Sequence, residues 1–254
     1  GYCQGNFNSD NCAAGGFTLD YGPFGFCELF DPRFQPWTGG GQHFCFFNQP
    51  NAAEANFRMF WSALRELVID DREATEALDQ CRDAFPAAMQ EQLQTMWARK
   101  LGLVAYDDNL VQDLLQLMAA SLADYTKVFR LLTGTPNLVD QLDGGFYRPL
   151  SEDLKTKWNT WLQRWRQRLQ EEGNLKTAGL GMKRVNPAIT WREWLIAPAY
   201  QKAERGDHQL VQDLQHVFQQ PYVAPTNPET KRYDQLKPRE FFNAGGVSHY
   251  SCSS

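Results

Sequence analysis

Through the first fifty residues, apolar positions follow neither a two-residue nor a 3.6-residue period. Gly, Asn, Asp and Phe dominate, and the stretch reads as loops and short strands. From Phe57 the pattern changes: Phe57, Phe60, Trp61, Leu64, Leu67 and Val68 recur at the spacing of one helix face, and Pro50-Asn51 supplies a start. A second helical region covers about residues 73 to 100, where Pro86 predicts a break or kink. Leu110, Val111, Leu114, Leu115 and Met118 define a third helix, with Asp107 and Asp108 as capping candidates. The fourth is the clearest. Leu154, Trp158, Trp161, Leu162, Trp165 and Leu169 form one apolar stripe, while Lys155, Lys157, Arg164, Arg166 and Arg168 occupy other faces, so the tryptophans read as core packing.

Residues 173 to 183, with three glycines, read as a linker, and Asn186-Pro187 as the opening of a helix carrying Trp191, Trp194 and Leu195. Leu210, Val211, Leu214, Val217 and Phe218 give the last helix before Pro221, and an irregular tail over the surface or another domain is expected beyond it. The pattern predicts a mainly α fold with a small β-hairpin at the start.

Composition narrows the function. At 254 residues and 43 % hydrophobic, the chain has the make-up of an ordinary soluble globular protein, as one large domain or two small ones. A net charge of −5 argues against a general nucleic-acid binder, and no stretch approaches the eighteen apolar residues of a membrane span. Six cysteines (Cys3, Cys12, Cys27, Cys45, Cys81 and Cys252) form no C-x-x-C pair, which leaves zinc a poor explanation. The start at Gly1-Tyr2-Cys3, without methionine, leads us to expect a partial sequence.

The chemistry concentrates near the start, in Gly5-Asn6-Phe7-Asn8-Ser9-Asp10-Asn11 and in Asp20-Tyr21-Gly22-Pro23-Phe24-Gly25-Phe26. Magnesium takes hard oxygen donors, commonly one or two carboxylates with substrate phosphates and waters. Asn11 and Asp20 are the right types at the two ends of a short hairpin. Protein kinases place a metal-binding Asn at the end of a catalytic loop and a second ligand in an Asp-Phe-Gly turn, which Asp20-Tyr21-Gly22 resembles. Aligning Asn11 with the kinase Asn puts Gln4, Gly5 and Asn6 where His-Arg-Asp would stand, so Asp10 is the carboxylate available to accept a proton from an attacking hydroxyl. The alternative is a polar turn in which Asn8, Ser9 and Asp10 bond their own backbone.

The run N-x-D-N, then D-Y-G-P-F-G-F and Asp31-Pro32, resembles the signature of the selenoprotein O family. Met182-Lys183-Arg184-Val185-Asn186-Pro187 resembles that family's M-R-x-x-N-P segment, and Ser251-Cys252-Ser253-Ser254 its terminal C-S-S. The resemblance implies a protein-kinase-like C-lobe over residues 1–180, followed by a C-terminal helical extension over 181–254, with the N-terminal lobe outside this sequence. It implies transfer of AMP from ATP to Ser, Thr or Tyr hydroxyls of proteins, with Asp10 as proton acceptor, Asn11 and Asp20 as Mg2+ ligands and Asp20 also near the nucleotide. UMP transfer with Mn2+, a non-catalytic pseudokinase and a plain helical interaction module are the alternatives.

Three departures from the family pattern bear on this. The nucleotide-holding lysine, its glutamate partner and the glycine-rich loop belong to the N-terminal lobe, so the fragment alone is expected to be inactive. Gln4 stands where many relatives have His. Gln35-Pro36-Trp37-Thr38 replaces a cysteine-bearing segment, so a regulatory disulfide of Cys252 would use Cys45 or Cys27. The cytoplasm is the expected compartment for a bacterial protein, and mitochondria for a eukaryotic one.

Overall fold

The computed structural model describes residues 1–17, 23–37 and 41–242. They are mainly helical, with one small two-stranded antiparallel sheet near the start. The chain divides into two compact units: Tyr2–Gly25 with Pro32–Gln94, and Gly1 with Phe26–Asp31 and the residues from Thr95 onward.

In the first unit, β1 (Tyr2–Gln4) pairs with β2 (Phe24–Phe26), which runs up to the unit boundary. Three single 3-10 turns follow β1 in the chain, at Ser9–Asn11, Gln42–Phe44 and Phe46–Asn48. They pack against α1 (Gln49–Leu67), whose second residue is Pro50, where a missing N–H leaves no intrahelical bond unmade. The next helix, α2 (Arg72–Leu101), starts where Asp71 Oδ1 accepts the N–H of Ala74 at 3.0 Å. Phe57 stacks on Phe85 at 4.5 Å, Trp61 Nε1 donates to Asp79 at 3.0 Å, and the Arg82 guanidinium lies 4.5 Å over the Trp61 ring. Pro86 does not end α2. It lies on the exposed side of the helix, where the carbonyl it leaves without a partner can turn to water.

The second unit is built on a helix pair. α3 (Asp108–Ala120), capped by Asp107 Oδ1 on the N–H of Leu110, lays Leu110, Val111, Leu114 and Met118 against α5 (Glu152–Glu171). The tryptophan stripe of α5 is buried, and each indole N–H is satisfied: Trp158 on Ser121 Oγ at 2.7 Å, Trp161 on Leu110 O at 2.8 Å, and Trp165 on Leu101 O at 2.9 Å. Between them in sequence, α4 (Tyr125–Leu132) packs on the 3-10 stretch Val139–Gly145. The pattern did not predict α4: its eight residues are too few for a period to show, and five of them are buried.

The glycine-rich stretch expected to be a linker holds a helical turn and a half, α6 (Ala178–Lys183). Gly102 ends α2 at φ +70, and a Cβ there would sit 2.8 Å from that of Ala178, so glycine permits both the turn and the close approach. Asn186-Pro187 does not open the next helix, because Asn186 is spent on another task. Its Nδ2 donates to Lys100 O and its Oδ1 accepts from Lys100 Nζ, both at 2.8 Å, so the side chain pins the end of α2. The helix starts six residues later as α7 (Glu193–Ala203) and pairs with α8 (Gln209–Phe218) over Ile189, Trp194, Leu195, Leu214 and Tyr233. A short turn, α9 (Pro228–Lys231), is capped by Asn227, and a single 3-10 turn follows at Arg239–Phe241. Among the described residues no helix is long and apolar enough to cross a membrane.

Candidate functional site

The loop between β1 and β2 carries the residues with chemistry, and polar side chains of its own unit hold it in shape. Gln49, at the start of α1, brackets Gln4 from both sides: Gln4 N donates to Gln49 Oε1 at 3.1 Å, and Gln49 Nε2 donates to Gln4 O at 3.0 Å. Gly5 N donates to Pro23 O at 2.6 Å, so the two ends of the loop meet there. A Cβ on Gly5 would lie 2.3 Å from that same oxygen, so only glycine lets the strands approach. Gln35 Nε2 donates to Gly5 O at 3.3 Å, and buried Asn56 of α1 donates to Phe7 O at 2.9 Å. Gln35, Gln49 and Asn56 escaped the sequence reading because each acts across tens of residues. The one available signal was Asn56, an amide next to Phe57 within the α1 pattern.

Asp10 and Asn11 lie next to each other on the 3-10 turn Ser9–Asn11, with Asp10 exposed and Asn11 half-buried. Asn11 Nδ2 donates to Asn6 O at 2.9 Å, which fixes the side-chain amide and leaves Oδ1 as its donor toward a cation. Asn8 Nδ2 donates to Asn6 Oδ1 at 2.5 Å, a side-chain bond, and the Asn8 side chain does not cap the turn through its backbone as the alternative reading expected. The Asn11 amide oxygen is a hard donor of the kind taken by a cation that keeps several of its waters, and the Asp10 carboxylate, one residue earlier, is open to water and within reach of an incoming hydroxyl's proton. Among the described residues no group of three or more His, Cys, Asp or Glu side chains could hold a metal. Asp20, the expected partner ligand, lies outside the described residues, as does Cys252.

Cys27 and Cys45 are buried thiols. Burial pushes the Cys27 thiol up to about 12, so it stays protonated at neutral pH.

In the second unit, the short segment Phe26–Asp31 is fixed by backbone and charge together. Cys27 N donates to Gly1 O, Tyr125 N to Glu28 O and Phe30 N to Ala123 O, each at 2.8 Å. Fully buried Arg192 grips Asp124 with two bonds of 2.6 and 2.9 Å and reaches Glu28 at 3.2 Å. Asp124 also caps α4 through the N–H of Lys127 and accepts from Tyr147 Oη at 2.9 Å. Burial works against the Arg192 charge, yet the Asp124 carboxylate outweighs it and holds the guanidinium above its ordinary range. Burial raises Glu28 against the opposing pull of Arg192 and Lys237. The sequence hint for this cluster was a charge set inside apolar runs, Asp124 beside Ala123 and Tyr125 and Arg192 between Trp191 and Trp194.

Comparison with known proteins decides the family. The family model described as protein adenylyltransferase SelO matches residues 1–219. The chain belongs to the SelO family. Among curated relatives, the protein nucleotidyltransferase YdiU of Aromatoleum aromaticum is 32 % identical over 268 residues, covering 100 % of this chain and 49 % of the relative. The protein of the same name from Salmonella schwarzengrund is 34 % identical over 230 residues, covering 88 % and 46 %, and that of Myxococcus xanthus is 33 % identical over 245 residues, covering 94 % and 48 %. The chain thus spans about half the length of the SelO-family relatives it matches.

Proposed function

We propose that this chain carries the metal-binding part of a kinase-like protein nucleotidyltransferase that moves AMP from ATP onto Ser, Thr or Tyr hydroxyls of proteins. The observation that carries the reading is the turn Ser9–Asn11, which presents a carboxylate and a fixed amide oxygen side by side, in a chain whose family model is described as a protein adenylyltransferase. Asn11 and Asp20 would hold Mg2+ or Mn2+, which supplies charge neutralisation at the phosphates. Asp20 would also face the nucleotide.

Asp10 accepts the proton of the attacking hydroxyl as its oxygen bonds to the α-phosphorus. The bond from that phosphorus to the bridging oxygen breaks, and pyrophosphate leaves with the electron pair. An exposed carboxylate suits this role, since a protein acceptor must reach it and the proton must afterwards pass to water. If a disulfide regulates the enzyme, Cys252 pairs with Cys45 or Cys27.

The test is label transfer from α-labelled ATP and UTP to protein acceptors, with Mg2+ or Mn2+. It is run on this chain and on the chain joined to the unmatched half of the Aromatoleum relative, each beside Asp10→Ala and Asp20→Ala. Label from ATP that disappears in both variants supports the reading, whereas label from UTP alone replaces AMP by UMP. No label in any form, together with no metal-dependent nucleotide binding, overturns the enzyme reading in favour of a non-catalytic module.

A further inference from the structure

Ala178 and Met182 seat α6 on the end of α2, where both crowd Gly102. The opposite face looks outward. The Ala178 N–H already bonds Asn174 O, so helical spacing starts one turn before α6 and brings Lys176, Leu180, Lys183 and Arg184 to one side at i, i+4, i+7 and i+8. All four are exposed, Leu180 at 67 %. Among the described residues none of these three cations lies within ion-pair distance of a carboxylate.

The loop after α8 is pinned beside this face. The Arg130 guanidinium of α4 donates to Lys183 O at 3.3 Å, to Asn186 O at 3.1 Å and to Tyr222 O at 3.1 Å. Pro221 O accepts the N–H groups of Ala188 and Ile189. One guanidinium thus holds the end of α6 next to Tyr222 and Val223, which are 48 % and 58 % exposed. Three exposed apolar side chains and three cations share a surface whose backbone is tied down, so a ligand need not order it.

Charge narrows what fits there. Residues 173–191 hold Lys176, Lys183 and Arg184 and no Asp or Glu, a local charge of +3 in a chain of net −5, so the rest sums to −8. A nucleic-acid duplex or an anionic bilayer is too wide to meet the patch alone, and that remainder would repel it. A short segment with a few carboxylates meets only the patch. Apolar side chains on such a segment would cover Leu180, Tyr222 and Val223, which adds affinity that charge on an open surface does not supply.

We propose that the outer face of α6, with Tyr222 and Val223, docks an acidic protein segment that carries apolar side chains. The inference does not depend on the nucleotidyl-transfer reading.

The experiment is fluorescence anisotropy with a labelled peptide of leucines set among glutamates, beside one with serine for leucine and one with lysine for glutamate. Each is titrated with the 254-residue chain, and with that chain joined to the unmatched half of the Aromatoleum relative, in low and high salt. The Glu/Leu peptide should bind both forms. Its affinity should fall at least about tenfold in Lys183→Glu/Arg184→Glu, and severalfold in Leu180→Ser and in high salt. The Lys/Leu peptide should bind Lys183→Glu/Arg184→Glu better than the unchanged chain, a swap that misfolding cannot produce. All three side chains are exposed, so circular dichroism should stay the same in the variants. No binding of the Glu/Leu peptide, equal binding of its serine counterpart, or equal binding by the variants overturns the proposal. Loss of binding in the joined form also overturns it, since the rest of the polypeptide would then cover the face. Tighter binding of single-stranded DNA or of phosphatidylglycerol vesicles would give the face to those partners and overturn it as well.

Discussion

Replacing Arg192 by Met tests the buried ion cluster most sharply. The guanidinium is 1 % exposed and makes two bonds to Asp124, itself 0 % exposed, so the change strands a carboxylate in the interior with only Lys127 N and Tyr147 Oη to satisfy it. Removing one partner of a buried pair costs about 3–5 kcal/mol, a large share of the ~5–15 kcal/mol that holds a domain together. A neutral double variant, Arg192→Met with Asp124→Asn, leaves no orphan charge and should cost clearly less than the sum of the two single changes. The difference is a coupling of at least about 1 kcal/mol. Urea denaturation followed by tryptophan fluorescence measures this, because Trp158, Trp161 and Trp165 are buried in the same unit. A loss under about 1 kcal/mol for Arg192→Met, or strict additivity in the double variant, would refute the claim that Asp124 depends on this guanidinium.

Three further outcomes follow from the packing. Trp161→Ala removes an indole that is 1 % exposed and bonded to Leu110 O, and should cost about 3–5 kcal/mol by denaturant titration. Gly5→Ala places a methyl carbon against Pro23 O; circular dichroism should keep the helices, while amide exchange in 2–11 rises at least severalfold. Lys100 is buried over the Phe129 ring with Asn186 as its polar partner, and burial lowers its ammonium to about 7. The unfolded chain holds that proton up to about pH 10.5, so the cost of burying Lys100 is full below pH 7 and vanishes as pH climbs to 10.5. Stability should rise over that window by an amount on the order of 5 kcal/mol, and Lys100→Met should flatten the slope.

The helices that pack through one long stripe were legible in the sequence. The α5 tryptophans and the Asp107 cap of α3 stand where their spacing put them. What stayed hidden depends on partners far along the chain. Nothing near Asn186 tells that it serves Lys100, 86 residues earlier, and this contact is why α7 starts at Glu193 and not at Pro187. Of the break or kink expected at Pro86, the break is absent: proline ends a helix by local rules, whereas a water-facing site on a thirty-residue helix tolerates it. At the candidate site, residue type pointed to Asp10 and Asn11, and their adjacency on one turn was readable. The side chains that shape the loop, Gln35, Gln49 and Asn56, were not, since each reaches it from another element.

The central claim is that the β1–β2 loop of this chain holds a divalent cation for nucleotide chemistry, and Mn2+ binding followed by electron paramagnetic resonance tests it most directly. The chain is titrated with Mn2+, with and without ATP, beside Asn11→Ala and Asp20→Ala. The account predicts one site, tighter with ATP present, that weakens at least about tenfold in each variant. Binding that is absent, or that both variants leave unchanged, would contradict it.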